Sequence, residues 1–380
     1  MNQYKVLIAH NHSSIEILHS LVPFYMLSDK SFKYKFDFID YKFLNKKNLK
    51  ADLIILTRKY HHFDVSIKEN KKKILEDIKK YKNQFNKVIY FDDSAAVSHI
   101  LYFILPYVDS YWVRGLLNDK SEYEKKLYGG RSFSNYYHEK YEVKDERLNF
   151  SPNFKYKKNE KIKIAWNIGI GCFPTSKNTF LNRNYFIFRK FCCILSFLSL
   201  NFFLKKIIST YITNMKKELK KELTQSFNNS LISARFSYKG YTNSVGFNRK
   251  LALRKIFQNN KFIKGKLPAW QYIKECSKVM AILSPFGWGE ICYRDFEAIL
   301  SKSLLVKPDM NHLDTWPNIY HDEYYFKLDW DFNNIGDLES FLNIENNEVF
   351  YKINKSSLLY LEALEKCESR AKNMLDQILK

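Results

Sequence analysis

Gly287, Gly289, Glu290, Arg294 and Glu297 fall in one short stretch, SPFGWGEICYRDFEAILSKSLLVKPD, from Ser284 to Asp309. These residue types suit a ligand that carries both phosphates and hydroxyls. Gly287 and Gly289 let the backbone turn sharply and approach a ligand closely. A helix beginning near Tyr293 or Arg294 would aim its amide dipoles at a diphosphate. Arg294 can neutralise phosphate oxygens with its planar fork. Glu297, one turn into that helix, can accept from both hydroxyls of a ribose, and Glu290 in the turn lies nearer a donor sugar. The plainer reading is a βαβ unit with surface acids, because acids are common at helix N-termini.

Other candidates are less specific. Arg249 lies on a helix predicted over 247–257 and is placed to contact a diphosphate. Asn167 and Gly169, with Gly171, follow a strand and can put backbone amides beside a donor, although a GxG without a third glycine is a weak phosphate signal. In the first half, His10 and His12 follow the first strand, and Asp92 and Asp93 end the third. Asp93 or His12 can act as base on an acceptor hydroxyl. Asp93 also reads as a helix N-cap before Ser94, and His12 as a loop histidine without a role. Tyr128-Gly129-Gly130-Arg131 reads either as a seat for an acceptor phosphate or as a plain turn. His312, Asp314 and Trp316 read either as a turn over the donor or as an aromatic lid packed into the core.

The elements that position these groups alternate. YKVLIAH (4–10), ADLIILTRK (51–59) and NKVIYFDDS (86–94) read as strands, with a helix over 65–86 and a helix and strand within 98–115. A polar linker follows over 149–160, and the pattern restarts. KIKIAWNIGIG (161–171), SLISARFSY (230–238), KVMAILSPFG (278–287) and SLLVKPD (303–309) read as strands, with helices over 185–228, 247–257 and 294–302 and an amphipathic helix over 355–380. Strands separated by helices predict parallel βαβ units. The expected domains are 1–155 and 156–350, both Rossmann-like, with 351–380 as a terminal helix. Ligands belong at the carboxyl ends of such strands, in the cleft between domains.

The Glu290…Glu297-Ala298 block, running through a helix into the apolar strand that ends at Pro308, resembles the signature of GT-B glycosyltransferases. Six residues separate the two glutamates, where the group-1 branch has seven. The stretch 267–299, with its Gly-x-Gly followed by Arg294-x-x-Glu297, also resembles the exostosin-like branch, and the block is similar to bacterial surface-polysaccharide transferases. The resemblance is strongest over 265–320. It implies an α/β GT-B fold of two Rossmann-like domains facing a central cleft, with a C-terminal helix, the acceptor bound mainly by 1–155 and the donor mainly by 156–350. It further implies hexosyl transfer from a nucleotide sugar to a glycan or lipid-linked acceptor, with no obligatory metal and no cofactor.

The net charge of +22 reads either as compositional drift or as attraction to an anionic partner such as a phosphorylated substrate or a membrane face. Scattered lysines, rather than arginines clustered with aromatics, argue against nucleic acid. The six cysteines have neither disulfide nor metal spacing, and reduced thiols are expected. No secretory core opens the chain, so a cytoplasmic protein is expected, at the inner face of the membrane if it is attached. The run FCCILSFLSLNFFL (191–204), flanked by Arg189-Lys190 and Lys205-Lys206, is too short to span a bilayer. It reads as a buried core helix or as an interfacial segment.

Overall fold

The computed structural model describes residues 3–12, 15–30, 33–44, 49–58, 68–145, 160–175, 184–222, 230–241, 243–344 and 346–379. The N-terminal strands are β1 (Tyr4–His10), β2 (Tyr34–Asp40), β3 (Leu53–Thr57), β4 (Lys87–Asp92), β5 (Ser110–Val113), the short β6 (Gly115–Leu117) and β7 (Ile162–Ile164). Six of them form one parallel sheet in the order β2-β1-β3-β4-β5-β7. Every residue of β3 is buried, as a strand covered on both faces requires. Helices α1 (Val22–Lys30), α2 (Lys68–Gln84) and α3 (Ser132–Tyr141) belong to this half.

The pair α4 (Tyr185–Phe197) and α5 (Asn201–Leu219) leads to the second sheet. Its strands are β8 (Ile232–Ser233), β9 (Phe262–Ile263), β10 (Ala281–Leu283), β11 (Leu304–Pro308) and β13 (Phe326–Leu328), in the parallel order β13-β11-β10-β8-β9. Between the last two strands, β12 (Leu313–Thr315) pairs antiparallel with β6 and ties the two halves together. The remaining helices are α6 (Asn243–Lys255), α7 (Ala269–Cys276), α8 (Tyr293–Leu300), α9 (Ile335–Ile344) and α10 (Asn346–Leu379). The last of these returns to the first half, where Lys33 and Tyr34 both bond Asp376.

Within each half the first five strands follow the same order, 2-1-3-4-5, with the chain reversing direction across the sheet between the first and third strands. Ligands of doubly wound sheets sit at the carboxyl ends of the strands at that point. Two such halves with a returning terminal helix make the GT-B arrangement that the sequence leads one to expect.

Three expectations change. The strand predicted to open the second domain instead completes the first sheet, where Ile162–Ile164 pairs with Tyr111–Val113. A boundary at 155/156 therefore cuts the N-terminal sheet. The expected linker, apart from Glu160, lies outside the described residues. The run 191–204 is not one helix, because it breaks at Ser199, which takes φ 57 between α4 and α5, and it is only half core, with Cys192, Leu195 and Leu204 buried and its other large apolar groups exposed.

Candidate donor site

The turn Ser284–Cys292 leaves the carboxyl end of β10, beside the end of β8, and feeds α8. Asp295 holds it in shape. Its carboxylate accepts from the Cys292 amide at 2.9 Å, Ser284 Oγ at 2.6 Å and Tyr320 OH at 2.7 Å. It also pairs with Lys307 Nζ at 3.1 Å, and both side chains are fully buried. A charge on an apolar strand needs such a partner, so the lysine in SLLVKPD was the signal that sequence reading passed over. Likewise, an acid three residues after the N-cap is the capping-box position.

Arg249 lies under the turn. Its Nε donates to Phe286 O at 2.8 Å, its Nη1 donates to Ser237 O at 3.0 Å, and its guanidinium stacks 4.1 Å over the Tyr241 ring. Its Nη2 sits 3.5 Å from where a side chain on Gly287 would start, so the cation underlies that glycine. Burial lowers its pKa, with Cys292 and Tyr241 opposing. Exposed Trp288 packs its ring 5.4 Å from Tyr241.

On α8, Tyr272 OH donates to Glu297 Oε2 at 3.1 Å, and Arg294 Nη2 donates to Arg235 O at 3.1 Å. The Arg294 Nε is buried without a hydrogen-bond partner. Burial pushes the Glu297 pKa up, against the Arg294 charge and the Tyr272 hydroxyl. For Arg294, burial is more than offset by Tyr272 and Glu297, and its pKa rises. The structure thus brings Glu297, Arg294, Arg249 and Gly287 to one end of the second sheet.

Gly289 and Glu290 face the other half. A Cβ on Gly289 would lie 1.9 Å from the Ala95 carbonyl oxygen. The expectation that this glycine lets a ligand approach is therefore corrected, since the backbone it admits is the chain's own. Gly289→Ala must part the two halves locally. We expect it to cost about 1–3 kcal/mol, as for an overpacked core, read from the midpoint of denaturant unfolding.

Glu290 is 0% exposed, and neither carboxylate oxygen has a hydrogen-bond partner. Burial raises its pKa, while the Glu290 and Val97 amides and the charges of Arg131 and Lys307 pull it down part of the way. Arg131 answers from the first half. It too is desolvated, its Nε lacks a partner, and Glu290 is the leading charge opposing its lowered pKa. The YGGR turn thus brings a buried cation whose charge acts on Glu290 across the seam without an ion pair, which the sequence alone did not reveal.

At the end of β4 the two acids have separate roles. Asp92 is structural. Arg58 Nη1 donates to both of its oxygens at 3.0 Å, Tyr111 OH donates to it, and the Ser94 amide donates at 3.2 Å. No helix starts at Ser94, so the expected N-cap at Asp93 is not formed, and the Ser94 amide is held in a turn by Asp92. Asp93 accepts from Ser20 Oγ at 3.0 Å and pairs with Arg114 at 3.4 Å, and its Oδ1 is buried without a partner. Ser20 and Arg114 reach on to His19, whose ring lies 6.2 Å from Tyr293 at the start of α8, across the seam.

Three predicted groups lie elsewhere. His12 donates its amide to Asp40 at 3.1 Å, bonds Ser196 through Nδ1 and packs on His10 and Phe197. Its contacts lie with α4 and not with Glu290 or Asp93. Asn167 is consumed by structure. Its Nδ2 donates to Thr315 Oγ1 at 3.0 Å and Pro317 O at 2.8 Å, and its Oδ1 accepts from the Gly169 amide at 2.8 Å. Gly169 is a packing glycine, because a Cβ there would strike the Phe296 ring at 2.2 Å. Neither Asn167 nor Gly169 presents a phosphate loop. Asp314 sits in the β6–β12 pair and Trp316 beneath Arg370, 4.5 Å away, so neither overlies the turn.

A cavity of about 1030 Å³ runs along edge strand β7 beneath α10, from Lys87 and Asp109 at the amino ends of β4 and β5 to Leu116, Trp316 and Arg370. It lies at the outer edge of the first sheet and includes none of the Ser284–Cys292 turn.

No family model matches the sequence, and no curated protein matches it. Among solved structures the chain is similar to HepE of Anabaena in complex with UDP and glucose, at TM-score 0.47 and 7% identity over 99% of this chain and 100% of that one. It is also similar to a glycosyltransferase of Rickettsia africae, at TM-score 0.45 and 12% identity over 100% of both chains. A third is an alpha-glucosyltransferase in complex with UDP, at TM-score 0.46 and 10% identity over 100% of both. Likeness at this level transfers no ligand to this chain, and the functional reading stands on the geometry above.

Proposed function

We propose that this chain is a glycosyltransferase that binds a nucleotide sugar at the Ser284–Cys292 turn and passes the sugar to an acceptor held by the first half. The observation that carries this reading is the convergence of a helix N-terminus, Arg249, Arg294 and Glu297 at the switch point of the second sheet, with Glu290 in the seam. The α8 amides with Arg294 and Arg249 neutralise the departing diphosphate, with no metal required. Glu297 holds the ribose hydroxyls, and the Tyr241–Trp288 pair offers an aromatic face to the base. Glu290 faces the donor sugar, where positive charge develops as the diphosphate leaves. Asp93 Oδ1 takes the proton of the acceptor hydroxyl. The acceptor proposed is a glycan or a lipid-linked sugar of cell-surface polysaccharide.

A thermal-shift screen against nucleotide sugars tests the donor half, since a ligand bound only by the folded state raises the melting temperature. Glu297→Ala is expected to weaken the preferred donor about 100-fold and to erase its shift at moderate concentration, because a charged hydrogen bond to a hydroxyl pair is lost. An unchanged shift in that variant removes Glu297 from the site. A shift without turnover on any acceptor would instead mark a sugar- or nucleotide-binding protein.

A further inference from the structure

The run that sequence reading left open between core and interface has one buried and one exposed side. On α4, Phe188, Cys192 and Leu195 are buried, while Ile187, Phe191, Ile194 and Leu198 stand exposed at helical spacing, Ile187 at 62%. Past the break at Ser199, Phe202 and Phe203 add 73% and 54% exposure at the start of α5. Isolated surface apolar groups are ordinary, but this many large ones on one helical corner mark an interaction surface. The charge around them has one sign. From Asn184 to Lys217 there is no Asp or Glu, while Arg189, Lys190, Lys205, Lys206, Lys216 and Lys217 all fall in that stretch. Among the described residues no helix is long and apolar enough to cross a membrane.

We propose that the α4–α5 corner docks on an anionic lipid bilayer, with Phe191, Leu198, Phe202 and Phe203 entering the acyl boundary and the flanking cations resting on the headgroups. An apolar tip whose own flanking chain carries cations and no acids fits a surface that is greasy inside and negative outside. A second protein copy would bring the same cations against themselves. The buried side of α4 carries Ser196, bonded to His12 at the loop after β1. Docking itself does not rest on the sugar-transfer reading.

The test is co-sedimentation of the full chain, without any donor, with vesicles of phosphatidylethanolamine containing about one-third phosphatidylglycerol, and with phosphatidylcholine vesicles. The protein is expected to sediment with the anionic vesicles. Phe202→Ser with Phe203→Ser is expected to lower the partition coefficient about tenfold or more. Lys190→Glu with Lys206→Glu is expected to remove the preference for anionic over neutral vesicles. All four positions lie on the surface, so melting temperature and donor-induced shift stay as in the wild type, which separates loss of docking from failure of the donor site. Equal sedimentation of wild type and variants overturns the proposal. So does a dimer in sedimentation velocity that the phenylalanine variant dissolves, which would assign the face to a second copy.

Discussion

Replacing Glu290 with glutamine is expected to raise the melting temperature of the ligand-free protein by roughly 1–4 °C while lowering turnover about 100- to 1,000-fold. The two effects have one cause. The carboxylate is fully buried with no hydrogen-bond partner on either oxygen, and burial raises its pKa. Folding therefore works against its charge at neutral pH, and a neutral side chain of the same shape relieves that cost. The sign of the pH dependence follows. A folded-state pKa above the ordinary 4.5 means that the folded chain binds its proton more readily than the unfolded one. The destabilisation is thus complete above the raised value and fades as pH falls towards 4.5, so the gap in melting temperature between variant and wild type should close on acidification. Differential scanning fluorimetry over a pH series reads this directly. A residue that merely filled space would show neither the gain in stability nor the loss of turnover.

Asp295→Ala is expected to cost about 3–5 kcal/mol of stability. The substitution strands Lys307, which is fully buried with that carboxylate 3.1 Å away, and it removes the acceptor for Ser284, Tyr320 and the Cys292 amide. The companion change Lys307→Met in the same chain should recover much of the loss, because what is costly is the unpaired charge more than the missing bond. Urea unfolding of the single and double variants separates the two. Full additivity of Asp295→Ala and Lys307→Met would show that the pair does not hold the turn.

The sequence made the architecture legible where its pattern was strong. Apolar runs such as Leu53–Thr57 and Leu304–Pro308 could only be covered strands, and the helix after the glycine turn was expected at its observed start, Tyr293. Tyr34–Asp40 was passed over, although YKFDFID alternates as a half-buried strand does. Ile162–Ile164 was assigned to the wrong sheet, because a strand's local pattern does not say which neighbour it pairs with. The grouping of Gly287, Arg294 and Glu297 was legible for a physical reason, since residues placed on one turn and one helix are brought together by local geometry alone. What was hidden depends on the seam. The charge of Arg131 acting on Glu290, the use of Gly289 by Ala95 and the division of labour between Asp92 and Asp93 arise only when two distant segments meet. Asn167 and Gly169 looked like a phosphate loop because a GxG turn has the same composition whether it cradles an anion or lets a phenylalanine ring pack.

The central claim is that a nucleotide sugar occupies the end of the second sheet where the Ser284–Cys292 turn feeds α8. The most direct measurement is the electron density of crystals grown with the donor that gives the largest thermal shift. The account predicts diphosphate density at the N-terminus of Tyr293–Leu300 beside Arg294 and Arg249, with ribose on Glu297 and the sugar towards Glu290. Donor density in the cavity along β7 beneath α10 instead, with the turn empty, would contradict it.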